Sequence, residues 1–188
     1  MKSLYIFLLA AVALLTGCDS VASDDRLIEV PAATIQRNVL IEDFTGQRCI
    51  YCPAATETIT QLQARYGDDK LIAVAIHAGP LSFKTMSGFT GLRTDVGDTY
   101  YKHWAVPNVP KAIINRRGGV FSKDAWAGRV YDEFARTTTV GIDLKCQYDA
   151  DKRRVEIETD LKTLSEDVQG RLQLWLVEDG VVAPQLFP

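Results

Sequence analysis

The sequence predicts an α/β domain of element order β-α-β-α-β-β-α, followed by an incomplete antiparallel β-sandwich-like module. Two observations carry this reading. Between residues 38 and 137 short apolar runs alternate with stretches of helical period, as in layered α/β domains. From residue 138 the apolar period shortens to two, as in half-buried antiparallel strands. A net charge of -3 with 24% charged residues describes an ordinary soluble surface, and no basic cluster offers itself to nucleic acid.

The first elements are not part of that fold. Lys2 precedes an unbroken apolar run, Leu4 to Leu14, too short to span a bilayer, which takes about 20 apolar residues. Leu15-Thr16-Gly17-Cys18 then supplies an aliphatic residue, two small ones and a cysteine, the pattern that a bacterial lipoprotein signal peptidase reads. Residues 1–17 are therefore expected to be a signal peptide, with Cys18 acylated as the first mature residue. Several buried chains, each stabilised by roughly 0.8 kcal/mol per CH₂, hold a protein on a membrane. Residues 18–37, opening on the acidic stretch Asp19 to Asp25, form the lipidated tether and lead-in.

The α/β domain is assigned to residues 38–137. Asn38 to Phe44 is a short apolar strand ended by Thr45-Gly46. Ala54 to Tyr66 is helical, with Ile59, Leu62 and Tyr66 on one stripe and Gly67 as its stop. Leu71 to Ile76 has no polar residue, as a parallel strand covered on both faces requires. Residues 77–94 read as an inserted loop and Asp95 to Trp104 as a second helix. Ala112 to Asn115 is a third strand, Arg117-Gly118-Gly119 a hairpin turn, and Val120-Phe121 a short fourth strand. Lys123 to Arg136 forms the last helix, with Trp126, Val130 and Phe134 on one face.

The β-rich module is assigned to residues 138–188. Val140, Ile142, Leu144, Cys146 and Tyr148 alternate onto one face, where Cys146 reads as a small core hydrophobe. Val155 to Leu161 alternates again, and Leu172 to Val177 is expected as a third strand. Three strands leave open edges, so the module is expected to be truncated or completed by a partner.

The chemistry gathers around four residues. With Cys18 assigned to lipid, three of the four cysteines remain, and Cys49 and Cys52 form the natural pair. They lie where the first strand gives way to the first helix, the arrangement used for dithiol–disulfide exchange. Export places the chain where disulfides persist. The helix start and the neighbouring Arg48 favour a thiolate at an exposed Cys49, leaving Cys52 to resolve a mixed disulfide. Pro53 prefers the first helical position, which would make Cys52 the cap. Asp43, six residues before Cys49, is placed to accept the proton of Cys52, unless Glu42 is the residue that faces inward. Val109-Pro110, directly before the third strand, is the candidate for a cis peptide beside the cysteines, with Pro107 as competitor. His77 ends an apolar parallel strand, the edge where ligands gather, although a structural histidine fits as well. The Tyr100-Tyr101 and Trp104 cluster reads as packing. A zinc site would need four convergent ligands and only the cysteine pair is local, so neither metal nor cofactor is expected.

Glu42-Asp43-Phe44, the step from Asp43 to Cys49, the Cys49-Ile50-Tyr51-Cys52 pair and Val109-Pro110 before a strand resemble the thioredoxin family in order and spacing. The resemblance implies the thioredoxin fold, with Cys49 as nucleophile, Cys52 as resolving thiol, Asp43 as buried acid and Pro110 as cis-proline. The chain departs from that family at Arg48, where a tryptophan is usual, and at Ile50-Tyr51; Tyr51 is similar to the glutaredoxin pattern but Ile50 is not. A longer stretch, including IEDFTGQRCIYCPAA, AIHAG, VPNVPKAIINR and WLVEDGVVAPQ, resembles the twenty-eight-kilodalton outer-membrane lipoprotein family of Bacteroidetes-type bacteria. That resemblance implies an outer-membrane lipoprotein with a thioredoxin-like domain and a following β-rich domain, and members usually extend past residue 188.

Two functions are then expected as alternatives. One is a membrane-anchored thiol-disulfide oxidoreductase acting on envelope proteins that bear thiols or disulfides. The other is an outer-membrane binding or adhesion lipoprotein in which the 49–52 bond is a staple. Both place the chain on the membrane through Cys18. Replacing that residue, Cys18→Ser, should move the protein from the membrane fraction to the soluble one; a wild-type protein already soluble and starting elsewhere would remove the anchor.

Overall fold

The structure, a computed structural model, describes residues 37–164 and 168–187. The leader, Cys18 and the tether lie outside the described residues. A three-stranded sheet of order β2-β1-β3 forms the centre, built from β1 (Val39–Thr45), β2 (Leu71–His77) and β3 (Lys111–Ile114). β1 and β2 run parallel with Val39 opposite Leu71, joined by the crossover helix α1 (Cys52–Tyr66). β3 returns antiparallel to β1, with Ile41 opposite Ile114. Between them lie the inserted loop and α2 (Asp95–His103), and α3 (Lys123–Phe134) follows.

Alternation along β1 divides the core between two faces. Val39 and Ile41 join Ala55, Ile59 and Leu62 of α1 and Trp126 and Val130 of α3. Phe44 points the other way and packs with Ile76, Val106 and Ile113, beneath Tyr100 and Tyr101 of α2. The helical stripes read from the sequence meet: Tyr66 of α1 stacks on Phe134 of α3 with ring centroids 4.6 Å apart. Trp126, buried completely, still donates its indole N–H to the Phe121 carbonyl. This strand–helix–strand unit with an antiparallel third strand and helices on both faces is the thioredoxin-like arrangement.

A buried carboxylate ties the sheet to the last helix. Glu133 pairs with Arg37, Arg117 and Arg136 and accepts from Asn115 Nδ2. Asn115, at φ 45°, in turn bonds both the N–H and the carbonyl of Leu40. Its side chain thus continues the β1 ladder one step beyond β3.

Four expectations change. The fourth strand is a single bridge, Phe121 to Ala112, because Gly118 and Gly119 at φ 76° and 93° turn the chain straight into α3. β2 lies at an edge of the described sheet and leaves Ile72 exposed, so it is not covered on both faces. The β-rich module is a two-stranded ribbon, β4 (Val140–Asp149) and β5 (Arg154–Thr163), with Ile142 opposite Leu161. Residues 172–177 form no strand and Cys146 is exposed rather than core, since the described residues lay no second sheet over that ribbon face.

These burials separate the two parts energetically. Ile41→Ala, in the centre of the sheet, should cost about 2–5 kcal/mol of unfolding free energy in urea. Ile142→Ala, on a side chain 59% exposed, should stay within about 0.5 kcal/mol of the parent. An equal loss at both sites would mean that the ribbon face is packed in solution.

Candidate functional site

The site is built on the loop that leaves β1. Gly46 is required there, because a Cβ would stand 2.5 Å from the Leu81 carbonyl oxygen. That same oxygen accepts the Arg48 N–H at 2.9 Å, seating the inserted loop against the cysteine loop. Cys49 N–H closes a turn on the Gly46 carbonyl, and Cys52 N–H bonds the Cys49 carbonyl as α1 begins. Cys49 and Cys52 are joined in a disulfide with Cα atoms 5.4 Å apart.

Val109–Pro110 is the cis peptide bond and Pro107 is not. The Val109 carbonyl oxygen lies 3.7 Å from Cys49 Sγ, so the loop entering β3 meets the disulfide directly.

Tyr51 is the cap of α1, Cys52 its first residue and Pro53 its second. The helix therefore starts one residue earlier than Pro53 suggested; a proline is tolerated in this turn because its N–H has no intrahelical acceptor in any case. Cys49 sits three residues before the helix, outside its first turn.

The expectation of an exposed Cys49 is overturned: both cysteines are only 2% exposed. Val109 closes one side of Cys49, and the Gln185 side-chain amide donates to the Cys49 carbonyl at 3.1 Å. Arg48 is exposed, with its guanidinium over the Phe83 ring at 5.4 Å. Tyr51 and Ile50 face solvent.

The two acids of β1 are both buried, so neither faces solvent at an edge. Glu42 makes a two-point ion pair with Arg116, each N–O distance 3.0 Å. Asp43 shares the strand face of Ile41, the face that α1 covers, and its Oδ1 has no hydrogen-bond partner. Burial pushes its carboxyl up to about 7. His77 ends β2 with Nδ1 buried and unpartnered, and burial lowers its pKa.

Sequence reasoning missed three participants. Gln47, buried in the loop, donates to the Thr90 and Pro184 carbonyls and accepts from Leu92 N–H. Arg116 stacks over Tyr100 and Trp175 at 5.4 and 5.1 Å while pairing Glu42. Residues 173–187 return to the α/β layer instead of extending the ribbon. A neutral glutamine and a run of main-chain bonds leave no periodic or charge signal to read.

Residues 97–188 match the family of outer membrane protein Omp28. This is the outer-membrane family that the sequence resembles, and the matched region holds Pro110, the ribbon and residues 173–187 but not the cysteine pair. Among the described residues no helix is long and apolar enough to cross a membrane. The solved structure of HBP35 of Porphyromonas gingivalis is similar over 60% of this chain and 38% of its own, at 19% identity and a TM-score of 0.44. A protein from Agrobacterium tumefaciens is similar over 66% of this chain and 56% of its own, at 19% identity and a TM-score of 0.45. A malarial protein is similar over 52% of this chain and 98% of its own, at 12% identity and a TM-score of 0.35. None of the curated protein sequences matches.

The raised Asp43 carboxyl has a consequence for stability. The folded chain holds this proton more tightly than the unfolded chain does. Stability is therefore lost as pH rises from the ordinary 3.8 to about 7, and the loss is complete above that. Its size is roughly 4 kcal/mol, at about 1.4 kcal/mol per pH unit. Asp43→Asn should be more stable than the parent at about pH 8 and should lack this slope. Urea unfolding of the oxidised protein across that pH range measures it; an unchanged slope would show that Asp43 does not titrate there.

Proposed function

With residues 97–188 matched to the outer membrane protein Omp28 family, we propose that the chain is a lipid-anchored thiol-disulfide oxidoreductase of the bacterial envelope. The observation that carries this reading is the Cys49–Cys52 disulfide at the start of α1, with a buried acid, Asp43, on the β1 face that α1 covers.

In the exchange a client thiolate attacks Cys49 Sγ, a client–Cys49 disulfide forms, and the Cys49–Cys52 bond breaks with Cys52 leaving as thiolate. A second client thiolate then attacks its own mixed-disulfide sulfur and releases Cys49. The client loses two electrons and becomes a disulfide, while the pair gains them and becomes a dithiol. Run in reverse, Cys49 attacks a client disulfide and Cys52 resolves the intermediate. As Cys52 attacks, its proton passes to the Asp43 carboxylate, a form available near neutral pH because that carboxyl is raised to about 7.

A second reading has its own support. The burial of both sulfurs suits a binding or adhesion lipoprotein in which the bond is a staple. The reduction potential separates the two. Exchange catalysts lie between about -120 and -270 mV, whereas structural disulfides lie below about -300 mV. Trapping assigns the roles: Cys52→Ser should accumulate reductant-sensitive mixed disulfides on non-reducing gels, and Cys49→Ser should accumulate few or none. If neither variant traps a client and both only lose stability, the bond is a staple.

A further inference from the structure

Residues 173–187 are fixed at two places on the α/β layer. At the first, Trp175 meets Tyr100 edge-on with centroids 5.0 Å apart, and Gln173 Oε1 accepts from Arg116 Nη1 at 2.6 Å. At the second, residues 184–186 lie along the loop that leads into the disulfide. Leu186 N–H donates to the Gln47 carbonyl at 2.8 Å, and Gln47 Nε2 donates to the Pro184 carbonyl at 3.0 Å. Gln185 Nε2 donates to the carbonyls of Cys49 and Gly46 at 3.1 and 3.4 Å.

The pattern of these bonds says what the loop recognises. Residues 184 and 186 offer a carbonyl and an N–H at an i, i+2 spacing, and a single residue, Gln47, answers both. Main-chain groups presented at that spacing are how an extended chain is bound whatever its side chains. The Leu186 and Phe187 side chains remain 51% and 70% exposed, so apolar burial does not hold the segment. The receptor is preformed. Gln47 is 1% exposed, and its Oε1 takes the Leu92 N–H at 2.9 Å, which orients Nε2 toward the Pro184 carbonyl. All of this happens two residues from Cys49, whose carbonyl is one of the acceptors.

We infer that the Gly46–Cys49 loop is a docking site for an extended polypeptide main chain, occupied in cis by residues 184–186, which shield the disulfide until a client segment takes their place. The client part of this inference rests on the proposed exchange reading. Displacement replaces the main-chain bonds of Pro184 and Leu186 with equivalent ones from any extended client, whereas the Gln185 amide bonds to Cys49 and Gly46 are particular to the cis segment.

The experiment follows reduction of the disulfide by excess dithiothreitol in the oxidised full chain. Leu186→Pro deletes the N–H that bonds Gln47, and Gln185→Ala deletes the amide that bonds Cys49 and Gly46. Each should speed reduction about 2- to 10-fold, the gain in open population on losing one such bond. A synthetic peptide of residues 182–187, added in millimolar excess, should slow the Leu186→Pro variant again. Gln185→Ala only truncates one half-buried side chain and leaves the main chain intact, so it keeps the test sound if the proline variant folds poorly. Unchanged rates in well-folded variants, or a peptide without effect, would overturn the docking site. The readout needs no client. Faster variants with a potential below about -300 mV would keep the docking site and remove the exchange reading, and unmoved rates with a potential in the catalytic range would do the opposite.

Discussion

β1 is hydrogen-bonded on both edges and covered on both faces, which leaves its two adjacent acids no path to water. A charge removed from water must be paired or must give up its charge. Strand alternation sends Glu42 and Asp43 to opposite faces, and each face answers differently. On one, Arg116 reaches in and pairs Glu42 at two points. On the other, Asp43 Oδ1 has no hydrogen-bond partner among the described residues, and burial shifts the carboxyl toward the neutral acid. The same constraint thus yields a fixed ion pair and a group that can exchange a proton near neutrality.

The ion pair extends its influence outward. Arg116 is at φ 53° in the turn after β3, and from there its guanidinium touches Glu42, Tyr100, Trp175 and Gln173. A buried acid on β1 therefore sets the place at which residues 173–175 attach. Ten residues later the same segment reaches Gln47, which leaves β1 by way of Gly46. Both attachments of the returning segment refer back to one strand, and the disulfide lies beside the second.

What was legible in the sequence follows from which forces leave a pattern. Burial of whole faces leaves a period, as for Ile59 and Leu62 on α1 and Trp126 and Val130 on α3; the alternation of β4 and β5 was readable too, although its apolar face stays exposed. The cysteine pair and Pro110 were readable by residue type and position. Leu172 to Val177 carries a strand period, yet Trp175 docks on Tyr100 instead of joining a ladder. Tertiary packing overrode local preference there. The question of Glu42 or Asp43 was posed as a choice because alternation normally exposes one neighbour, and a strand covered on both sides removes that choice. Gln47 and residues 184–186 were invisible because at least one end of each contact is a main-chain group, which every residue has.

The burial of Cys49 bears on function through what covers it. A disulfide that acts only as a staple is typically embedded among apolar side chains, which water and thiols reach only by unfolding. Neither Cys49 nor Cys52 belongs to either apolar cluster of this fold. The cover of Cys49 includes two polar contacts: the Val109 carbonyl at its sulfur and the Gln185 amide at its carbonyl. Net contributions of such hydrogen bonds are about 1 kcal/mol each, because water can replace either partner. A cover held this way opens locally at far lower cost than a core opens globally. Low static exposure and chemical accessibility are therefore compatible at this site. Ile50 and Tyr51, which lie between the two buried cysteines in sequence, are themselves exposed.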